Sequence, residues 1–286
     1  MAAYRKPLDL SSKGSATAHV LAKTPDNASP GTRLGHWLSG LRSYFILDPL
    51  IFFYTGALGA LSLLSSLIDS SGRIQHNFAR LWSTLILKTI MCDLTVTGLD
   101  HLDPAKSHVY AANHISAMDI PVLYHGLPFQ FRIVANKYLF NYPFVGWHLR
   151  RSGQIAIDGA SPRATFKSLL SAVIDLKSRM SVVIFPEGGR SLTGHVMPFM
   201  NGAFYLAIKA QVDVVPVAIV GTFELLPMNS FHIRPRPVQL IFGNPISTAG
   251  LNMHDLEKLA EQVRASIQEM YYSRSELVDP RATENH

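Results

Sequence analysis

Two short segments of this chain hold residue types that can do chemistry. The first is Asn113-His114-Ile115-Ser116-Ala117-Met118-Asp119, which follows the apolar run at residues 108–112. That run reads as a buried strand, and ligands in open α/β sheets bind just beyond the carboxyl ends of strands. Five residues along a helix turn a side chain by about 500°, so His114 and Asp119 do not share a face of one regular helix. They meet if His114 lies in a loop and Asp119 in the first turn of the helix after it. Asp119 then accepts from one ring nitrogen of His114 and leaves the other free as a base. This is the base-and-orienter half of a catalytic triad. The plainer alternative is a strand-end histidine satisfied by a backbone carbonyl, with Asp119 favoured near a helix N-terminus.

The second segment is Phe185-Pro186-Glu187-Gly188-Gly189-Arg190-Ser191, which follows the β-branched run Val182-Val183-Ile184. A glycine pair after a strand lets backbone N–H groups come close to a ligand. Arg190 offers a planar fork suited to a phosphate. The alternative is an ordinary loop with a Glu187–Arg190 surface ion pair. If the two strands run parallel, their carboxyl ends lie on one edge of a sheet. A base and an anion-binding loop then share one cleft.

The elements that must position these segments begin near residue 93, where strand and helix patterns alternate. Strands are expected at 94–97, 108–112, 131–135, 154–158, 182–185, 214–220 and 238–242. Helices are expected at 117–124, 162–177, 201–210 and 256–270. The second of these has Ser161 as its cap and Pro162 in its first turn. The last carries Leu256, Leu259, Ala260, Val263, Ile267 and Met270 on one face. Alternation of this kind predicts an α/β fold, a mixed, largely parallel sheet flanked by helices.

The residues before 93 differ in character. Residues 45–68 carry one charge, Asp48, and the 20 residues from Pro49 to Ile68 are uncharged. About 20 such residues cross a hydrocarbon layer of roughly 30 Å. Gly56, Gly59 and Ala60 allow close packing with another helix. The segment reads as a full span, a hairpin half-sunk in one leaflet, or a buried core helix. Residues 74–90 put Ile74, Phe78, Leu81, Trp82, Leu85 and Ile86 on one helical face. That face suits a membrane surface, with Trp82 at the headgroups, or the domain behind it. The expected organisation is a disordered tail at 1–36, membrane-associated helices at 37–92, the α/β domain at 93–271 and a polar tail at 272–286. No apolar run follows Arg5 and Lys6, so the tail does not read as a signal peptide.

Composition agrees. The 286 residues are 48% hydrophobic and only 16% charged, which excludes a disordered, collagen-like or coiled-coil chain and favours membrane association. The net charge of +6 suits anionic lipid or an anionic substrate at least as well as nucleic acid. Phe45, Phe52, Phe53 and Tyr54 read as lipid or core contacts rather than base-stacking residues, so no nucleic-acid partner is expected. The single cysteine, Cys92, excludes an intrachain disulfide framework and a cysteine-rich zinc site. The 12 histidines lack ligand spacing, so no metal is expected. No Walker or Gly-x-Gly-x-x-Gly pattern is present.

At these motifs the chain resembles the glycerolipid acyltransferases, whose best-known members are the 1-acyl-glycerol-3-phosphate acyltransferases. Four blocks of that family occur in order over roughly residues 80–225. Asn113-His114 through Asp119 matches the histidine–four–aspartate block. Asn136-Lys137-Tyr138-Leu139, Pro143, Gly146 and then Gly153 through Asp158 resemble the second. Phe185-Pro186-Glu187-Gly188 with Arg190-Ser191 matches the third, and Val215-Pro216-Val217-Ala218-Ile219 the fourth. Two positions depart from the pattern. Gly189 stands where the third block usually has threonine, and Gly159 where the second ends in a basic residue that helps hold the acceptor phosphate. Arg150, Arg151 and Arg163 are the candidates to replace that residue.

The resemblance implies acyl transfer from acyl-CoA or acyl-carrier protein to the free hydroxyl of a lysolipid, with no metal or cofactor. His114 is then the base and Asp119 its orienter. Glu187, Gly188, Gly189, Arg190, Asn113 and Lys137 are then substrate-binding, with Glu187 orienting Arg190 or a glycerol hydroxyl. The expected acceptor is lysophosphatidic acid and the product phosphatidic acid, at a membrane and with the site facing the cytoplasm, where thioester donors are found. Gly159 keeps lyso-ornithine lipid or another lysolipid open as acceptor. Two rivals remain. One is a hydrolase using Ser116 or Ser191, although no Gly-x-Ser-x-Gly elbow occurs. The other is a non-catalytic lipid-binding module.

Overall fold

The computed structural model describes residues 30–158 and 162–283. The tail residues 1–29, the departure at Gly159 and the cap at Ser161 lie outside the described residues. The chain divides into two compact units after Leu38. Residues 30–36, expected as tail, are helical and belong to α1 (Pro30–Arg42).

Seven strands form one sheet: β1 (Leu94–Thr97), β2 (Val109–Ala112), β3 (Phe131–Asn136), β4 (Ile155–Ile157), β5 (Ser181–Ile184), β6 (Val214–Val220) and β7 (Val238–Phe242). Their spatial order is β1-β7-β6-β2-β5-β3-β4. Neighbours pair in parallel except β6 and β7, so β1 and β7 form a reversed pair at one side. The expectation of a mixed, largely parallel sheet is met. Every residue of β2, β5 and β6 is buried, as continuous apolar strands covered on both faces must be.

The pleat sends alternate residues to two cores. Tyr110 and Ala112 pack with Ile86 and Leu87 of α3 (Arg73–Thr89) and with Val122 and Leu123 of α4 (Asp119–Gly126). Val109 and Ala111 pack on the other side. Their neighbours there come from α6 (Pro162–Lys177), α7 (Tyr205–Ala210) and α9 (Leu256–Tyr272), among them Leu176, Leu206, Val263 and Ile267. Three short helices complete the fold: α5 (Val145–Arg151), α8 (Thr222–Leu225) and α10 (Pro280–Thr283).

Before the sheet, α2 (Asp48–Ser65) packs along α3. The helical run Trp37–Ser65 spans 29 residues, and its most apolar 18-residue window has a mean hydropathy of 1.6, long and apolar enough to cross a membrane. Only 11% of its most apolar window is buried, which is too little for a core helix. Leu50, Phe52, Phe53, Leu61 and Leu64 all point outward. The α3 face differs from the expected one. Gln75, His76, Ala79, Ser83, Ile86 and Leu87 are buried, while Ile74 and Leu81 are exposed. Tertiary packing decides this: Gln75 Nε2 donates to Ser65 Oγ at 3.3 Å, and Trp82 Nε1 to Thr55 Oγ1 at 2.9 Å. Trp82 therefore ties α3 to α2 rather than lying free at a headgroup layer.

Candidate active site

Strands β2 and β5 are neighbours and run parallel, with Ala111 opposite Ile184. The two chemical segments therefore leave the sheet on the same edge. Phe185 continues from β5, and its ring stacks on that of His114 at 4.1 Å between centroids and 22° between planes.

His114 lies in the loop after β2, and Asp119 is the first residue of α4. His114 Nδ1 donates to Asp119 Oδ2 at 2.8 Å. The same oxygen accepts from the backbone N–H groups of Ile115 (2.8 Å) and Ser116 (2.9 Å). Asp119 Oδ1 accepts from Thr222 Oγ1 at 2.6 Å, at the carboxyl end of β6. The carboxylate is fully buried and the histidine side chain 18% exposed. A proton on Nδ1, fixed by its carboxylate acceptor, leaves the Nε2 lone pair open to a substrate.

Glu187 does not pair with Arg190. Its Oε1 accepts from His114 N at 2.9 Å and its Oε2 from Met197 N at 3.1 Å. In return, Ser191 N donates to His114 O at 2.9 Å. Glu187 thus bolts the second loop to the first, a main-chain role in place of the expected contact with Arg190. Burial pushes its carboxyl up from 4.5 to about 8, against two backbone N–H bonds that pull the other way. The folded chain then holds this proton more tightly than the unfolded chain does. The contribution of Glu187 to stability is therefore largest at low pH and is lost as pH rises between about 4.5 and about 8. Glu187→Gln is expected to flatten that slope. It should also cost ~1–3 kcal/mol, because an amide nitrogen cannot accept from His114 N or Met197 N. Thermal unfolding of both proteins across that pH window checks both effects.

Of the four expected substrate-binding positions in the glycine loop, two are engaged elsewhere. Gly188 N donates to Phe185 O at 3.0 Å. Its φ of +73° and a would-be Cβ only 2.6 Å from Met200 Sδ explain why glycine stands there. Among the described residues, the backbone N–H groups of Gly189 and Arg190 have no chain partner, and Arg190 has no ion pair. A Cβ at Gly189 would meet nothing within 4 Å, so the missing threonine leaves open space beside these donors.

Asn113 and Lys137 are held by the chain itself. Asn113 is fully buried and brackets β6, donating to Ile219 O at 3.0 Å and accepting from Ile219 N at 2.8 Å. It is a brace between strands. Lys137, after β3, pairs with Asp158 at 3.0 Å and stays largely exposed. Ser116 is fully buried and donates to Leu226 O at 2.7 Å. Ser191 is buried against Thr193. Among the described residues, neither hydroxyl bonds to His114. The sequence motifs include Phe185 but not its stacking on His114, and they do not include Thr222. Their signal is positional, since each directly follows a central parallel strand or stands next to the residue that does.

This arrangement can be set beside known proteins. The family model described as Acyltransferase matches residues 93–220. A 1-acyl-sn-glycerol-3-phosphate acyltransferase of Saccharomyces cerevisiae is 30% identical over 236 residues, which is 81% of this chain and 77% of that one. The chain belongs to the glycerolipid acyltransferase family. Another acyltransferase of the same name from Chlamydomonas reinhardtii is 34% identical over 58% of this chain. The chain spans about half the length of that relative and of the one from Cocos nucifera, 50% and 51% respectively. The crystal structure of the 1-acyl-sn-glycerophosphate acyltransferase PlsC from Thermotoga maritima superposes with a TM-score of 0.65 at 25% identity. It covers 83% of this chain and 97% of its own. The acyltransferase match ends at Val220, so it takes in both chemical loops and the β2–β5–β6 core, and stops two residues short of Thr222.

Proposed function

We propose that this chain is a 1-acyl-sn-glycerol-3-phosphate acyltransferase, moving an acyl group from acyl-CoA or acyl-carrier protein to lysophosphatidic acid. One observation carries the reading. A histidine oriented through Nδ1, with Nε2 open, stands on the same sheet edge as a loop with two unengaged backbone N–H groups and an unpaired arginine.

The chemistry follows from that geometry. An alcohol is a weak nucleophile at neutral pH and needs a base as it attacks. His114 Nε2 takes the hydroxyl proton while the hydroxyl oxygen bonds to the thioester carbonyl carbon. Asp119 stabilises the imidazolium that forms. The tetrahedral intermediate collapses, the C–S bond breaks, and the leaving thiolate takes the proton from His114. The Gly189 and Arg190 N–H groups, with the Arg190 guanidinium, are suited to the anionic headgroup. The Arg190→Ala protein is expected to raise the acceptor KM by about tenfold or more, with a smaller change in kcat.

The acceptor and product are lipids, and α2 supports a bilayer location. Thr55 and Ser62 of α2 hydrogen-bond to Trp82 and His148, so α2 lies along the domain. That packing favours insertion into one leaflet over a span that leaves the domain. An apolar cavity lined by Leu58, Trp82, Ile120, Tyr124 and Leu149 lies between α2, α3, α4 and α5 and suits an acyl chain. A cytoplasm-facing site agrees with where thioester donors are found.

The test is acceptor competition. Membranes holding the protein are offered acyl-CoA or acyl-carrier protein, with lysophosphatidic acid and lyso-ornithine lipid together. Phosphatidic acid as the main product supports the reading. Acylated ornithine lipid alone would reassign the acceptor.

A further inference from the structure

Beyond α2, a second apolar surface stands out on the α/β domain. The segment between β3 and β4 exposes Tyr138 (54%), Tyr142 (55%), Phe144 (43%), Val145 (41%) and Trp147 (48%) within ten residues. Soluble surfaces scatter such side chains singly, and a contiguous group marks an interaction site. The segment is rigidly built. Phe140 is buried beneath it, and Gly146 packs so closely on Phe140 O that a Cβ there would collide. Phe144 is held at a φ of +59°, a backbone conformation that non-glycine residues rarely adopt. Strain of this kind, kept at an exposed aromatic, points to a surface selected for contact rather than for solubility.

The geometry points to this segment as a second bilayer contact, an aromatic wedge beside α2 that rests in the interfacial layer of an anionic membrane. Three observations favour lipid as the occupant. The wedge is continuous with the apolar α2: Ser62 Oγ bonds to His148 Nδ1 at 2.7 Å, and a Cβ on Gly59 would touch Phe144 Cβ at 3.4 Å. Its residue types are those of a membrane interface, where tyrosine and tryptophan keep an apolar body in lipid and a polar tip in water. Its last turn carries Arg150 and Arg151, both exposed, which matches anionic headgroups. The segment begins where β3 ends, and β3 pairs in parallel with β5, so its first residues leave the sheet on the same edge as His114, while its last turn returns toward the start of β4. Two contacts, α2 and the wedge, then fix the tilt of the domain and press that edge to the lipid that holds the acceptor.

The experiment uses the full chain with Trp37→Phe and Trp82→Phe, leaving Trp147 as the reporter, in vesicles of phosphatidylcholine and phosphatidylglycerol. Acyl chains brominated near the headgroup are expected to quench its emission by roughly half or more. A Phe52→Trp reporter with Trp147→Phe confirms that α2 has inserted. Emission from Trp147 that is unquenched while the α2 reporter is quenched would overturn the wedge and leave the α2 anchor intact. Shielding from both brominated lipid and aqueous acrylamide would overturn it too, and would point to a second copy of the chain as the cover. Because Trp82 bonds to Thr55, a second probe avoids that change. A nitroxide on Tyr142→Cys, in a Cys92→Ser background, is expected to meet oxygen more readily than a water-soluble nickel chelate. The reverse preference would contradict the proposal.

Discussion

His114→Ala is expected to lower turnover by a factor of about 10² to 10⁴ or more while leaving the protein folded. The two halves of that result have separate causes. Loss of rate follows because no other side chain of the site is placed to take the hydroxyl proton: Asp119 is fully buried, and Glu187 engages backbone N–H groups with both oxygens. Survival of the fold follows because the ring is partly exposed and its removal strands little. Asp119 Oδ2 keeps the N–H groups of Ile115 and Ser116, and Oδ1 keeps Thr222. The expected loss of stability is ~1 kcal/mol, from the stacking on Phe185 and one hydrogen bond. Initial rates beside a thermal melt check the pair of outcomes. A protein that loses activity only because it unfolds would show both quantities falling together.

Asp119 gives the second large effect, and two substitutions separate its roles. Asp119→Ala removes the acceptor for four donors at once. Two of these are backbone N–H groups of the loop before α4, and leaving them buried without partners costs about 1–3 kcal/mol each. The alanine protein is expected to be both inactive and markedly less stable. Asp119→Asn keeps an oxygen for the backbone N–H groups and for His114, and the Thr222 hydroxyl can turn to accept from the new amide. It is expected to fold with a small loss and still lose about 10² to 10⁴ in kcat, because the negative charge that stabilises the imidazolium is gone. A pH–rate profile that shifts in the asparagine protein, with unchanged acceptor KM, supports this split.

Much of this site can be read from residue order. The apolar runs that form β2 and β5 are continuous, so their burial and the loops after them follow from patterning alone. The histidine-to-aspartate spacing rules out a single helix face and demands a loop followed by a helix start, which is the observed geometry. All seven strands fall within two residues of their expected bounds. What patterning does not reveal is which partner each polar group finds. Glu187 and Asn113 stand in motifs that point to substrate, and the structure shows both bonded to main chain, because buried N–H and C=O groups beside them need partners. Thr222 reaches Asp119 across 103 positions of sequence, a contact that only the sheet order creates. The face of α3 rotates for the same reason. Its polar Gln75 and Ser83 are buried by α2 and the sheet, while the apolar Leu81 is left outside. Helix α5 escapes patterning because it is short, and three of its seven residues are basic or histidine.

The central claim is direct attack by an acceptor hydroxyl that His114 has deprotonated. The most direct measurement is a single turnover with labelled acyl thioester, following protein mass and lipid product together. The account predicts an unchanged protein mass without acceptor, and labelled phosphatidic acid once lysophosphatidic acid is added, with none formed by the His114→Ala protein. Acyl label on the protein before acceptor is added, or product formed at full rate by His114→Ala, would contradict it.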